Sequence, residues 1–242
     1  MVKDKAVNTF YSYKFIGLSP LSGGPVFDDY EERQHELDGL SKYETFKKVL
    51  TASGRREPYM SGNLTTNLSY KNIRLSGTFA YSLGAKVRLF QMYRSELIAP
   101  ESNLRRELLD RWQNPGDEKH TNIPAVIGRY EPYYFTYNEH WSQTSYYNVQ
   151  PFASSLWNMY DYSDLRVVSG NYLKCNNLMV TYEFGERILS QLRMTRLALS
   201  LSGTNLFTIS SKKLKGQTPT QGFTEVSLSD RPTYSFSLSV SF

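Results

Sequence analysis

The chain has 242 residues, a formal net charge of +5, a pI near 9.1 and 40% hydrophobic residues, enough apolar material for one large all-β domain or two small ones. No apolar run reaches the ~18 residues of a membrane helix, which excludes helical spans, and its single cysteine, Cys175, excludes an internal disulfide and a cysteine zinc cluster. Lys and Arg (28) are scattered among 23 acids with no basic run beyond Lys212-Lys-Leu-Lys215, so the clustered footprint of a nucleic-acid binder is missing.

The mean hydropathy of −0.50 does not exclude a membrane protein, because barrel strands turn half of their residues to a wet lumen and carry long polar loops. Met1-Val-Lys-Asp-Lys-Ala-Val-Asn has no apolar h-region, so any export signal is expected outside this chain. Residues 9–16 read as a strand with Tyr11, Tyr13 and Phe15 on one face, broken by the Gly, Pro and Ser cluster from Gly17 to Pro25. Residues 28–57 are charged and read as an ordered loop, partly helical, with Tyr43, Phe46, Val49 and Leu50 spaced for one helical face.

From Leu64 to Tyr70 apolar and polar residues alternate, Lys71-Asn72 supplies a tight turn, and 73–83 alternates again. Leu64, Leu68, Ile73, Leu75, Phe79 and Tyr81 fall on apolar faces and Thr65, Asn67, Arg74, Ser76 and Thr78 on polar ones, which predicts a hairpin over 64–83. Residues 84–164 are long, irregular and aromatic. A helix is expected where Asn103 can cap and Leu104, Leu108 and Trp112 sit one turn apart, ended by Asn114-Pro-Gly116. Beyond it the crowd of rings includes Tyr133, Tyr134, Tyr137, Trp141, Tyr146, Tyr147 and Trp157. Packing of a long loop on itself explains them more readily than a ligand or partner platform, although they are the candidates for one.

Strands return at 172–184 and 196–209, and a polar loop over 210–232 leads to the last. In Tyr234-Ser-Phe-Ser-Leu-Ser-Val-Ser-Phe242, Tyr234, Phe236, Leu238, Val240 and Phe242 point one way and the serines the other. The count is about six antiparallel strands, with short turns near 71–72 and 185–192 and long connections at 17–57, 84–164 and 210–232. Sorting of short turns from long loops is the asymmetry of an outer-membrane barrel, and one strongly curved, open sheet is expected.

No catalytic constellation stands out, so an enzyme is not expected. His35, His120 and His140 are isolated, no serine lies in a nucleophile elbow, and no carboxylate pair suits a glycosidase. The acids in 28–44 and Asp161 and Asp164 read as solvated loop faces, and no metal or other cofactor is nominated.

Several stretches together resemble the carboxy-terminal part of the SusC/RagA-like TonB-dependent outer-membrane transporters. They are Tyr11-Ser-Tyr-Lys-Phe-Ile-Gly-Leu, Leu68-Ser-Tyr-Lys-Asn-Ile-Arg-Leu-Ser-Gly-Thr-Phe-Ala-Tyr-Ser-Leu-Gly-Ala-Lys86, Leu109-Asp-Arg-Trp-Gln-Asn-Pro-Gly-Asp117, Val168-Ser-Gly-Asn-Tyr-Leu-Lys-Cys-Asn-Asn-Leu178, Ser202-Gly-Thr-Asn-Leu-Phe-Thr208 and the terminal alternating strand. The chain departs from that pattern at Gly216-Gln-Thr-Pro-Thr220 and at Lys174, where the family often has an arginine.

The resemblance implies that 1–242 is the carboxy-terminal portion of a larger transmembrane barrel, with its plug and earlier strands elsewhere. It implies the outer membrane of a Gram-negative bacterium, long loops outside and the carboxy-terminus in the periplasm. Tyr234, Phe236, Leu238, Val240 and Phe242 would then be the signal read by the barrel assembly machinery. The implied activity is import of oligosaccharides or peptides, with a SusD-like surface lipoprotein and energy from TonB. The competing reading is a soluble or surface-exposed β-sheet carbohydrate-binding protein, and the two differ in one observable. In a soluble sandwich a second sheet covers the apolar face of 234–242; in a barrel that face is left to lipid.

Overall fold

The computed structural model describes residues 5–93, 105–128, 132–134, 155–221 and 231–242. The chain is mostly β and forms two compact units, one made chiefly of residues 1–56 and 86–168, the other of 57–85, 169–220 and 227–242.

In the first unit β1 (Thr9–Tyr13) pairs antiparallel with β4 (Leu50–Arg55), and β2 (Phe15–Leu18) with β3 (Pro25–Phe27). The strand expected over 9–16 thus breaks at Lys14, whose ammonium pairs with Asp28 at 3.0 Å. It pairs within this unit and is not a sixth strand of the large sheet, because alternation fixes which face a residue takes but not which strand lies beside it. The helical part of 28–57 is real: Lys42–Val49 is an α-helix whose start is set by a capping box, Ser41 accepting from the Glu44 N–H while Glu44 accepts from the Ser41 N–H. The same segment also holds β4, which the loop reading did not include.

The core of this unit gathers Tyr13, Phe27, Val49, Tyr93, Trp112, Trp157 and Tyr160. Tyr13 and Phe15 each pack a ring on Phe27, at 6.0 and 6.1 Å, and Tyr93 lies 4.4 Å from Trp157. The helix expected from 103 is, among the described residues, only a 3-10 turn over Arg106–Asp110. Leu108 and Trp112 are buried as their spacing required, yet Leu109 is exposed, and Asp117 draws the Gln113 and Asn114 N–H groups into a turn that a continuing helix could not make. Asn103 and Leu104 lie outside the described residues.

The second unit is built on a five-stranded antiparallel sheet. Its strands are β5 (Met60–Tyr70), β6 (Ile73–Leu83), β9 (Tyr172–Glu183), β10 (Arg196–Ser210) and β11 (Thr233–Ser241), in the order β11-β10-β9-β6-β5. The short strands β7 (Lys86–Arg88) and β8 (Val167–Ser169) pair with each other between them in sequence. The predicted hairpin closes at Lys71-Asn72, with Lys71 in the left-handed region (φ 51) and the Asn72 amide donating to the Glu183 carbonyl. Between β9 and β10 the expected turn is a helix, Glu186–Leu192, stopped by Arg193 at φ 54. The sheet does not close on itself: β5 and β11 are its two edges.

Candidate functional site

Registers across the sheet turn five separate alternations into rows. Leu68 pairs with Leu75, Leu75 with Val180, Val180 with Leu201 and Leu201 with Phe236, so one row crosses all five strands on one face. The next row is Tyr70, Ile73, Tyr182, Leu199 and Leu238. This face is bare: Leu68, Leu201 and Phe236 are 60%, 57% and 70% exposed. No second sheet lies on it among the described residues. Among them, the only large apolar side chain that this unit buries is Leu214; its other buried apolar residues are Ala85, Cys175 and Ala198.

Apart from Met179, the middle rows of the opposite face are small and polar. Asn67, Ser76, Met179, Ser202 and Ser235 form one row, and Thr65, Thr78, Asn177, Thr204 and Thr233 the next. Hydroxyls meet directly across strands, as between Thr181 and Ser200 at 2.9 Å. Charges on this face stand toward its ends. Arg74, Glu183 and Arg196 lie near the tight turn, with Arg196 and Glu183 3.3 Å apart, and Lys174 lies toward the end where the chain leaves on its long connections.

Tyr234, Phe236, Leu238 and Val240 are brought into register with Gly203, Leu201, Leu199 and Leu197, and Phe242, which follows the strand end, is exposed. The other candidates divide. Tyr133 is exposed, Tyr134 packs partly against the core, and Trp157 is 3% exposed and consumed by core packing against Tyr93. Tyr137, Trp141, Tyr146 and Tyr147 lie outside the described residues.

Two acids expected on solvated faces are not there. Asp161 is fully buried at the end of the helix Leu156–Asp161, its two oxygens accepting the Met92 and Tyr93 N–H groups at 2.8 and 3.0 Å. Burial pushes its carboxyl up to about 6, against the opposing pull of those N–H groups and of Arg166 and Arg105. Asp164 accepts the Phe15 N–H at 3.0 Å. Beside them Arg166 pairs with Glu107 at 3.0 Å, and Arg88 donates to the carbonyls of Tyr11 and Ser163 and to the Ser12 hydroxyl, burial bringing its guanidinium down to about 10. This constellation stitches distant segments of the first unit together, with every carboxylate oxygen of Asp161 already engaged.

The sequence marked both faces strand by strand but not their union, since register is a property of pairs. It also missed a shallow hollow at the end of β9 and β10, beside Asn205, which takes the left-handed region at φ 52.

No family model matches the sequence, and no curated protein does. Solved structures do. The chain superposes over 100% of its length on a chain of the RagAB peptide importer in its open-open state, with a TM-score of 0.60 at 16% identity, and over 97% on the RagAB peptide transporter with the same score and identity. The closed-closed state of the importer gives 0.59 at 16% identity. The chain spans about a quarter of the length of these neighbours, covering 24%, 23% and 24% of them. The likeness is one of fold.

Proposed function

We propose that the five-stranded sheet is wall of an outer-membrane transport barrel of the SusC/RagA type, corresponding to its carboxy-terminal part. The observation that carries this reading is the pair of faces: continuous apolar rows left bare on one side, small hydroxyl and amide rows on the other. In a barrel wall the first faces lipid and the second a wet lumen. Strand length supports it, since β5, β6, β9, β10 and β11 have 11, 11, 12, 15 and 9 residues, and a tilted strand crosses a bilayer core in roughly 9–11. The fold likeness to the RagAB importer points the same way.

On this reading the chain serves import of oligosaccharides or peptides across a Gram-negative outer membrane. The long connections face outward and the tight turn and carboxy-terminus the periplasm. A SusD-like lipoprotein covers the mouth, TonB supplies the energy, and the barrel assembly machinery reads Tyr234, Phe236, Leu238, Val240 and Phe242. Tyr133, with its ring exposed, is the described aromatic best placed for ligand or partner contact.

The test is depth labelling. Single cysteines placed at 201 and 236, or at 202 and 235, in a Cys175→Ser background are probed in outer-membrane vesicles. Cysteines on the apolar face should be blocked from a water-soluble maleimide but quenched as bimane adducts by brominated lipid, with the reverse for the polar face. Equal aqueous labelling of both faces, or recovery of the chain in the soluble fraction, would sink the proposal.

A further inference from the structure

We infer that the turn helix Glu186–Leu192, with the tight turn beside it, is a binding surface for anionic phospholipid of the bilayer's periplasmic leaflet. The helix joins β9 to β10 at the end of the sheet where the apolar rows run out. Those rows finish in rings: Tyr182 and Phe184 meet edge to face at 5.0 Å, and Tyr70 of β5 is exposed. Immediately beyond them the helix carries Ile188 and Leu192, four residues apart and therefore on one helical face, and both are exposed. Backbone bonds fix its place. The Asn72 amide donates to the Glu183 carbonyl at 2.7 Å and the Glu183 N–H to the Asn72 carbonyl at 2.9 Å. The Phe184 N–H donates to the Leu197 carbonyl at 3.0 Å and the Thr195 N–H to the Ser241 carbonyl at 2.9 Å. Helix and tight turn thus form one rim on the end of the sheet.

The rim is cationic beside the apolar pair. Arg187 and Arg193 flank Ile188 and Leu192 in the chain, and Lys71 holds its ammonium 5.4 Å from the centre of the Tyr70 ring. All three cations are exposed. Among the described side chains of the rim the acids are Glu183, which Arg196 engages at 3.3 Å on the polar face, and Glu186. Three cations therefore face one unengaged carboxylate. Arg193 ends the helix in the left-handed region at φ 54, a position that glycine or asparagine fills at lower cost, and neither its guanidinium nor that of Arg187 has a partner among the described residues. Exposed apolar side chains flanked by unpaired cations suit a helix lying in a membrane interface, where the apolar pair enters the acyl boundary and the long cationic side chains reach the phosphates. Guanidinium meets phosphate through paired N–H bonds, and the excess positive charge favours an anionic headgroup over a zwitterionic one. A soluble acidic partner would match the charge but not the apolar pair, which continues the bare rows of the sheet.

The inference rests on the barrel reading, which sets this rim at the level of the headgroups, and goes beyond it by naming the headgroup's charge. The 242-residue chain in zwitterionic detergent, with Cys175→Ser throughout, carries bimane on Leu192→Cys or, as a control in the middle of the apolar face, on Leu201→Cys. Each is titrated with brominated phosphatidylglycerol or brominated phosphatidylcholine. Quenching at 192 should reach its half-maximum at about tenfold lower mole fraction of the anionic lipid, and quenching at 201 at similar mole fractions of both. Arg187→Gln and Arg193→Gln should each cut the preference about threefold, and salt at about 1 M should remove most of it. Ile188→Ser should weaken quenching at 192 by both lipids about twofold and leave the preference in place. Soluble glycerol phosphate at matched ionic strength, which has the charge without the chains, should not relieve the quenching. Equal response of 192 to the two lipids, a preference unchanged by both arginine variants and by salt, no quenching at 192, or relief by glycerol phosphate overturns the inference; if 201 is quenched, the barrel reading still stands. A headgroup preference at 192 with no quenching at 201 does the reverse.

Discussion

The two units solve opposite problems with similar side chains. In the first, aromatic residues go inside: Trp157 and Tyr160 are buried, Tyr93 packs on both, and the buried charged groups Arg88, Asp161 and Arg166 all make hydrogen bonds, although Arg166 Nε is left without one. In the second, Tyr70, Tyr234, Phe236 and Phe242 stay out, and the sheet buries almost nothing large. A sheet that buries no apolar core among its described residues must take its apolar stabilisation from its surroundings, and burial of ~25 cal/mol per Å² is available to it only against another apolar phase.

The largest expected effect tests the first unit. Trp157→Ala should cost about 3–5 kcal/mol in chemical denaturation of the chain in detergent, because it empties a closed aromatic core, whereas Phe236→Ala should cost under about 1 kcal/mol there. Similar losses at both positions would erase the contrast. On the barrel reading the second unit should respond instead to charge in lipid. Leu201→Arg should lower the amount assembled in the outer membrane by about 2–4 kcal/mol of insertion free energy, and Ser202→Arg, one residue along, should do little. Equal effects would mean that the two faces do not see different media.

A pH experiment sharpens the contrast from the side of the buried charges. The folded carboxyl of Asp161 titrates at about 6, against 3.8 for an ordinary aspartate. Its proton is therefore held more tightly in the folded state, so the stabilisation is fully present below about pH 4 and is lost as pH rises through about 6. Lowering pH from 7 to about 4.5 should raise stability of the first unit by roughly 1–3 kcal/mol, read by fluorescence of Trp112 and Trp157, and Asp161→Asn should flatten that dependence. A wild-type profile that keeps its slope in the variant would assign the titration elsewhere. The smallest effect belongs to the exposed pair at the tight-turn end: Arg196→Ala, which loses the 3.3 Å contact with Glu183, should change stability by no more than about 0.5 kcal/mol.

What the sequence disclosed follows the range of each interaction. The period-2 runs in 64–83 and 234–242 name their own strands and faces, because alternation is written in neighbouring residues. That 28–57 is partly helical was visible in the spacing of Tyr43, Phe46, Val49 and Leu50 for the same reason, but the cap at Ser41 and the burial of Thr45 rather than Tyr43 were not. The partner of 9–16 was not visible, since pairing with 50–55 depends on which strand is near once the core around Phe27 forms. Nor was the burial of Asp161, whose two donors lie about seventy residues upstream in the chain.

The path of the chain through the sheet has a consequence for how fast the sheet can form. The hairpin of β5 and β6 and the pair β9 and β10 are local, but the central seam joins Ser82 to Tyr172 across everything between them. Closing a disordered loop of that size costs on the order of 4 kcal/mol of chain entropy before the first seam bond forms. A first unit that has already paired β7 with β8, and set Leu89 N–H on the Arg166 carbonyl, delivers the two ends of that loop side by side. If β7 and β8 pair before the seam forms, a substitution that delays that pairing, such as Trp157→Ala, should slow sheet assembly in refolding kinetics as well as weaken the core.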